Sequence, residues 1–283
     1  MLLDNQDLLK LTQIAIKAAL RAGEIIAKEQ GNPIMVNSKE GGENLASCVV
    51  TKIDLMAQEA ILDVLSPSLK EYDLGLLTEE SVDDNSRFEK DFFWCIDPLD
   101  GTLCFSRNED GYSTSIALIS KSGTPIIGVV FNPRSNCLYH AIKDNGAFKN
   151  DLPLIVKDKS LYLTLLYDQS FLKHPNYAKE IENLKTKAIK LGLKEVKLYP
   201  LGGAVMNGIS TIEFAPAIYY KHPKAALGGG SLWDFAASSV IQSEAGGYNS
   251  DYDNNPLDLN RADSTFMNHR GVVYCSSKQL LLE

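Results

Sequence analysis

Cysteine is scarce in this chain of 283 residues: Cys48, Cys95, Cys104, Cys137 and Cys275 are odd in number and scattered, with no CxxC pair. That excludes a disulfide framework or a zinc-finger-like site as the organising feature, and reduced, buried thiols are expected. The four histidines stand apart, with no HExxH spacing. No apolar run approaches the roughly 18 residues that a membrane-spanning helix needs. The opening MLLDNQDLLK has neither a basic segment nor a continuous apolar one, so no signal peptide is read there. A soluble cytoplasmic protein with no membrane partner is the expectation. Basic side chains are outnumbered 28 to 36, for a formal charge of −8, which argues against coating a nucleic-acid polymer. A surplus of carboxylates is also what a chain needs if some of them hold divalent cations.

What is present suits an ordinary globular protein, with 45% apolar and 23% charged residues. Leu8, Leu11, Ala15, Ala18, Ala22 and Ile25 recur at helical steps, predicting one amphipathic helix over the first thirty residues. The polar stretch Asn37 to Asn44 reads as a mobile loop, and a second helix opens near Thr51 with Ile53, Ala57, Ala60, Ile61 and Val64 inward. From Leu74 to Phe148 the period changes to two, and short connections predict an antiparallel sheet. After Asn150 strands and helices alternate, ending in a helix from Trp233 to Ala245 and a strand to Cys275. The expected fold class is therefore α/β in two halves, 1–150 and 151–283, the first with an antiparallel sheet and the second with a mixed one. Their interface is the expected active site.

The chemistry concentrates in Trp94-Cys-Ile-Asp97-Pro-Leu-Asp100-Gly-Thr102. An apolar run delivers two carboxylates three residues apart, with the Leu99 carbonyl between them. Pro98 disfavours helix just before it, which should leave Asp97 at a strand end facing a cleft. Gly101 permits close backbone approach, and the N–H groups of Gly101 and Thr102 suit a phosphate. Hard oxygen donors at this density suit Mg2+. A plain turn in which both aspartates satisfy local N–H groups fits the spacing equally well. Glu79 after Leu77-Thr78, Asp234 in the first turn of its helix and Asp54 after Thr51 each have an equally local explanation, as turn or capping residues.

Taken in order, TKID, LTEES, WCIDPLDGT and GGSLWDFAASSVIQSEAGG resemble the inositol monophosphatase superfamily of Mg2+-dependent, lithium-sensitive phosphatases, over residues 15 to 275. The resemblance implies a layered αβαβα sandwich. It also implies Mg2+ ligands: Glu79, Asp97 and the Leu99 carbonyl for one ion, Asp97, Asp100 and Asp234 for a second, and Asp54 with Glu79 for a weaker third. Thr102 would assist Glu79 in activating the attacking water, with Asp54 in the same catalytic group. Gly101, Thr102, Gly202, Gly203, Ala204 and Asp234 would contact a small phosphorylated substrate. Relatives of this kind occur as homodimers and as monomers.

The ester itself is less legible. Inositol monophosphatases usually carry an acid seven positions before the WD aspartate, where this chain has Leu227. FWCIDPLDGT, TSIALISKSGTPIIGVVFNP and NPLDLNRADSTFMN look more like the 3′(2′),5′-bisphosphate nucleotidases, although many of those have lysine where Leu103 stands. An inositol or sugar phosphatase and a non-catalytic metal-binding scaffold are the alternatives. His222, Lys224, Arg107 and Arg134 are candidates for a second phosphate or simply solvated bases. Of the adjacent Tyr219 and Tyr220, at most one can face a bound adenine.

Overall fold

A computed structural model describes residues 3–30, 36–38, 49–158, 160–168 and 170–281. Helix α1 (Asn5–Glu29) starts because the Asp4 carboxylate accepts from the N–H groups of Gln6 and Asp7, while Asp7 accepts from the Asp4 N–H. Its buried face is Leu11, Ala15, Ala18, Ala22 and Ile26, the last taking the place expected of Ile25. Strands β1 (Val36–Ser38) and β2 (Val49–Thr51) pair antiparallel. The rest of the polar stretch, with Cys48, lies outside the described residues. Helix α2 (Lys52–Glu71) follows directly and packs on α1 through Ile53, Ala57, Ile61 and Leu65. Among the described residues no helix is long and apolar enough to cross a membrane.

Seven strands form the first sheet: β3 (Gly75–Thr78), β4 (Phe92–Asp100), then, after the short helix α3 (Thr102–Ser106), β5 (Ser113–Ser120), β6 (Pro125–Asn132), β7 (Cys137–Ile142), β8 (Ala147–Lys149) and β9 (Leu152–Leu154). They lie in chain order. The pairings from β4 to β9 are antiparallel, as expected, but β3 and β4 run parallel. The correction has a simple cause: residues 79–91 cross from the end of β3 back to the start of β4, whereas a tight turn would have reversed the chain. Strand β9 also carries this sheet past residue 150.

The second sheet takes β10 (Leu163–Tyr167), β11 (Val196–Pro200) after helix α4 (Tyr177–Lys190), β12 (Ala217–Lys221) after helix α5 (Ala204–Glu213), and, beyond helix α6 (Leu232–Glu244), β13 (Tyr248–Ser250) and β14 (Val272–Cys275). Its order is β11-β10-β12-β14-β13, parallel about β10 and antiparallel about β14, hence mixed.

Alternation along the strands assigns the layers. Trp94, Ile96, Ile116 and Leu118 face α1 and α2, while Phe93, Cys95, Ala117 and Ile119 face a core shared with α5 and α6. Tyr219 and Tyr274 of the second sheet enter that same core, and Ile218, Tyr220 and Val273 point to the far side with Leu184 and Ala188 of α4. The layers are therefore helices, sheet, helices, sheet, helix. The adjacent tyrosines do face opposite sides, but both are buried, Tyr219 fully and Tyr220 to 4% exposure, so neither offers a ring to an adenine.

The middle layer demands small residues. A Cβ on Gly128 of β6 would lie 2.4 Å from the Ala237 carbonyl oxygen and 2.6 Å from Val240 Cγ1 of α6. Gly128→Val should destabilise the protein by about 1–3 kcal/mol through overpacking, read as a lowered midpoint in urea. An unchanged midpoint would show that α6 is not seated against this sheet as described.

Candidate functional site: a buried carboxylate cluster

Strand β4 does not stop at Asp97. It continues through Pro98 to Asp100, and its pairing with β5 slips: Asp97 lies opposite Ser115, and Asp100 opposite Ser113. Three steps on β4 thus match two on β5, which is a β-bulge. In a regular strand, residues three apart face opposite sides; the extra residue brings the Asp97 and Asp100 carboxylates to one side. Both are buried, at 1% and 7% exposure, so the open cleft expected around Asp97 is instead a recess. Gly101, with φ of +83°, turns the chain away, and a Cβ there would meet the Gly111 carbonyl at 2.7 Å.

The third carboxylate comes from the middle layer. Asp234 is the third residue of α6 and accepts from the Ser231 N–H at 2.6 Å. Ser115, the register partner of Asp97, donates its hydroxyl to the Trp233 carbonyl at 3.1 Å, which ties the start of α6 to β5. Ligand oxygens of Asp97, Asp100 and Asp234 all lie within 4.8 Å of one another. Glu79, just past β3 and half-buried, extends the ladder by donating its N–H to Ile96 at 3.2 Å. Asp54, in the first turn of α2, is 2% exposed. The Thr102 hydroxyl lies 3.3 Å from Asp54 Oδ1 and 3.0 Å from the Leu99 carbonyl oxygen.

The Leu201–Ala204 turn enters through Asp100. The Ala204 N–H donates to Asp100 Oδ1 at 3.2 Å and the Val205 N–H to Oδ2 at 2.9 Å, so the first turn of α5 is aimed at this carboxylate. Gly203 must be glycine here, since a Cβ would sit 2.0 Å from Asp100 Oδ2. Its own N–H donates to the Gly111 carbonyl at 2.8 Å, and the Gly202 carbonyl accepts from Asn207 at 3.1 Å. This turn orients a carboxylate of the cluster, whatever else it touches.

Crowding shows in the titration of these groups. Burial pushes Asp97 well above the usual carboxylate range, and the charges of Glu79, Asp100 and Asp234 push the same way. Burial and the Asp234 charge raise Asp100 to about 8, against the opposing pull of the Val205 and Ala204 N–H groups and Lys221. Burial raises Asp234 too, against Lys221 and the Ser231 N–H. Asp97 and Asp234 lie close enough for each to perturb the other's titration. Two buried carboxyl groups and a half-buried third, all titrating above the usual range, form a hard-oxygen donor set that fits a divalent cation.

Other expected bases lie elsewhere. His222 stacks on His174 at 4.0 Å and bonds the Tyr252 hydroxyl through Nδ1 at 2.9 Å. Arg134 donates to Asn108, and Arg107 is exposed. Leu227, at the position where an acid was sought, is 70% exposed in the loop before α6. The side chain that approaches the cluster from β12 is Lys221, paired with Asp168 at 3.4 Å. Sequence reasoning missed both; the available signal was a lysine closing an apolar strand, which reads as a solvated end.

The chain belongs to the inositol monophosphatase family of metal-dependent phosphatases: the family's model matches residues 7–281. It is 30% identical over 259 residues to the Nus factor SuhB of Pasteurella multocida, covering 86% of this chain and 85% of that one. It is 31% identical over 261 residues to an inositol-1-monophosphatase of Synechocystis, covering 89% and 83%. Among solved structures, CysQ from Bacteroides thetaiotaomicron superposes with a TM-score of 0.71 at 25% identity, over 94% of this chain and 97% of that one. The SaIMPase-II complex with 2′AMP superposes at 0.64 and 20% identity, over 95% and 88%.

The raised carboxyls fix the sign of a pH effect on the protein stripped of divalent ions. Their folded pKa values exceed the unfolded ones, so the folded chain holds more protons and stability falls as pH rises from about 4 toward about 8. Chelator-treated protein should lose denaturation midpoint between about pH 5 and about pH 8, and Asp100→Asn should flatten that slope. Added divalent ion should restore stability most at the higher pH, where ligands deprotonate more readily. A chelated wild type whose midpoint rises over this window would contradict the assignment.

Proposed function

We propose that this chain is a Mg2+-dependent phosphomonoesterase that hydrolyses a small phosphate ester with water, and that its substrate class is a 3′(2′),5′-bisphosphate nucleotide such as adenosine 3′,5′-bisphosphate. The observation that carries the hydrolytic reading is the clustering of Asp97, Asp100 and Asp234 within 4.8 Å. These three carboxylates, with Glu79, Asp54 and the Leu99 carbonyl, would hold Mg2+, which when bound would supply positive charge to the phosphate and lower the pKa of water.

The protein's part is positioning and proton management, which suits phosphoryl transfer through a loose transition state. The Thr102 hydroxyl, between Asp54 and the Leu99 carbonyl, orients the attacking water, and Glu79 receives its proton. The water oxygen bonds to phosphorus on one side as the P–O bond to the ester oxygen breaks on the other; that oxygen takes a proton from solvent and leaves as the alcohol, and Glu79 returns its proton to solvent. The turn Gly202–Gly203–Ala204 and the amides of Gly101 and Thr102 line the approach of the phosphate. No covalent phosphoryl-enzyme is needed.

The nucleotide reading draws on charge around the site. Lys221 beside the cluster and an open groove of about 520 Å³ lined by Lys224, Arg261 and His269 suit an alcohol that carries its own phosphate. The groove lies in the loops that flank the Asp234 turn, since Met267 N–H donates to the Gly230 carbonyl and Leu232 N–H to Thr265. A nucleoside monophosphate is bound in the SaIMPase-II structure, so a nucleotide is compatible with the fold. An inositol phosphate remains the second reading because a relative at 31% identity bears that activity in its name.

Asp97→Asn should lower turnover by at least about a thousandfold while the far-ultraviolet circular dichroism stays that of the parent. Near-normal turnover in that variant would remove the metal-hydrolase reading altogether. A phosphate-release panel with Mg2+, with and without lithium, should favour adenosine 3′,5′-bisphosphate over inositol 1-phosphate. The reverse preference would replace the nucleotidase reading by the inositol one. Ion uptake with no phosphate released from any ester would mark a binding scaffold.

A further inference from the structure

One half-buried cation beside the cluster has a second consequence, for the metal and not the substrate. Lys221 closes β12, and Asp168 is the residue after β10. These strands are parallel neighbours with Leu166 opposite Tyr219, so both chains leave the sheet at the same edge. Two residues on, Asp168 and Lys221 meet at 3.4 Å, each side chain only 20% exposed. Ser170 holds Asp168 in place, its N–H 3.1 Å from Oδ1 and its hydroxyl donating to the same oxygen. The ammonium lies 5.9 Å from the centre of the Phe235 ring, next in sequence to Asp234.

The electrostatics run both ways. Burial would push the lysine down, but the charges of Asp168, Asp234 and Asp100 outweigh it and keep the ammonium protonated. Burial alone would raise Asp168, yet Lys221 and Ser170 hold it below the usual range. Lys221 in turn favours the ionised forms of Asp100 and Asp234. A fixed positive charge that does so must also repel a divalent ion approaching the same oxygens. Asp168 draws the ammonium the other way and so limits that repulsion.

We propose that Lys221 is a resident cation of the acidic cluster, restrained by Asp168, and that the pair sets how tightly Asp100 and Asp234 hold a divalent ion. The proposal rests on the metal reading given above. It has two consequences of opposite sign. Lys221→Met removes the competing charge and keeps a long apolar stem, so ion binding tightens. Asp168→Asn removes the charge that draws the ammonium aside, so ion binding weakens. A merely structural pair would behave differently, since breaking it from either side leaves a buried charge unpaired and loosens the site both times.

Calorimetric titration of the chelator-treated full chain with Mn2+ or Mg2+ alone, at neutral pH, tests this without any substrate. The weakest-bound ion should bind Lys221→Met at least about tenfold more tightly than wild type, and Asp168→Asn about threefold or more weakly. Lys221→Arg, which keeps the charge, should stay within about threefold of wild type. Equal or weaker binding in Lys221→Met overturns the proposal, as does unchanged or tighter binding in Asp168→Asn, which decides the matter alone if Lys221→Met does not fold. A wild type that takes up no divalent ion overturns the proposal together with the metal reading; uptake that ignores these substitutions overturns the proposal only.

Discussion

Mutual repulsion among carboxylates held away from water is the constraint around which this molecule is arranged. Asp97, Asp100 and Asp234 present oxygens within 4.8 Å of each other, and burial adds its own penalty for ionising them. Each nearby element acts on that problem. The first turn of α5 gives two N–H groups to Asp100, the start of α6 gives one to Asp234, and Lys221 brings a full positive charge. What they leave uncompensated is absorbed by protons when no cation is present. Such a site carries an electrostatic demand that a divalent ion would meet, so ion binding there would be coupled to stability.

The same constraint explains where the site lies. Two of the carboxylates ride on β4 of the first sheet, the third on α6 of the middle layer, and the amides that steady Asp100 on α5. Strand β4 is about a hundred residues from α5 and α6 in sequence, and they meet because the middle helices are pressed between two sheets. Gly128 and Gly203 both mark close approaches, one of α6 to β6 and one of α5 to Asp100. They set the layer spacing that lets the carboxylates converge.

Much of this was legible in the sequence, and the remainder fails for identifiable reasons. Helical periodicity located α1, and apolar runs bounded by turn residues located β5, β7 and α6 to within a few residues, although β5 and α6 prove buried on both sides. The WCIDPLDGT segment announced its carboxylates, and the resemblance supplied Asp54, Glu79 and Asp234. The bulge was not legible, since an extra residue in a strand leaves no trace in alternation until the partner register is known. The parallel β3–β4 pair was hidden for the same reason: strand direction is decided by where the intervening chain travels. Lys221 and Asp168 were missed because a charge at a strand end is usually solvated, and only the parallel register of β10 and β12 makes them neighbours.

Lys221 also changes how the departure at Leu227 is understood. Counting back from Asp234 placed the expected acid in an exposed loop, where Leu227 touches the open groove and not the cluster. The residue that faces the cluster from this part of the chain is basic. An acid beside the scissile ester would accept hydrogen bonds from neutral hydroxyls, whereas an ammonium is satisfied by an anionic group and gains nothing specific from a polyol. On the metal and nucleotide readings proposed above, the same charge would temper metal affinity and bias the choice of alcohol toward one that carries negative charge, two effects of a single side chain placed where two parallel strands end.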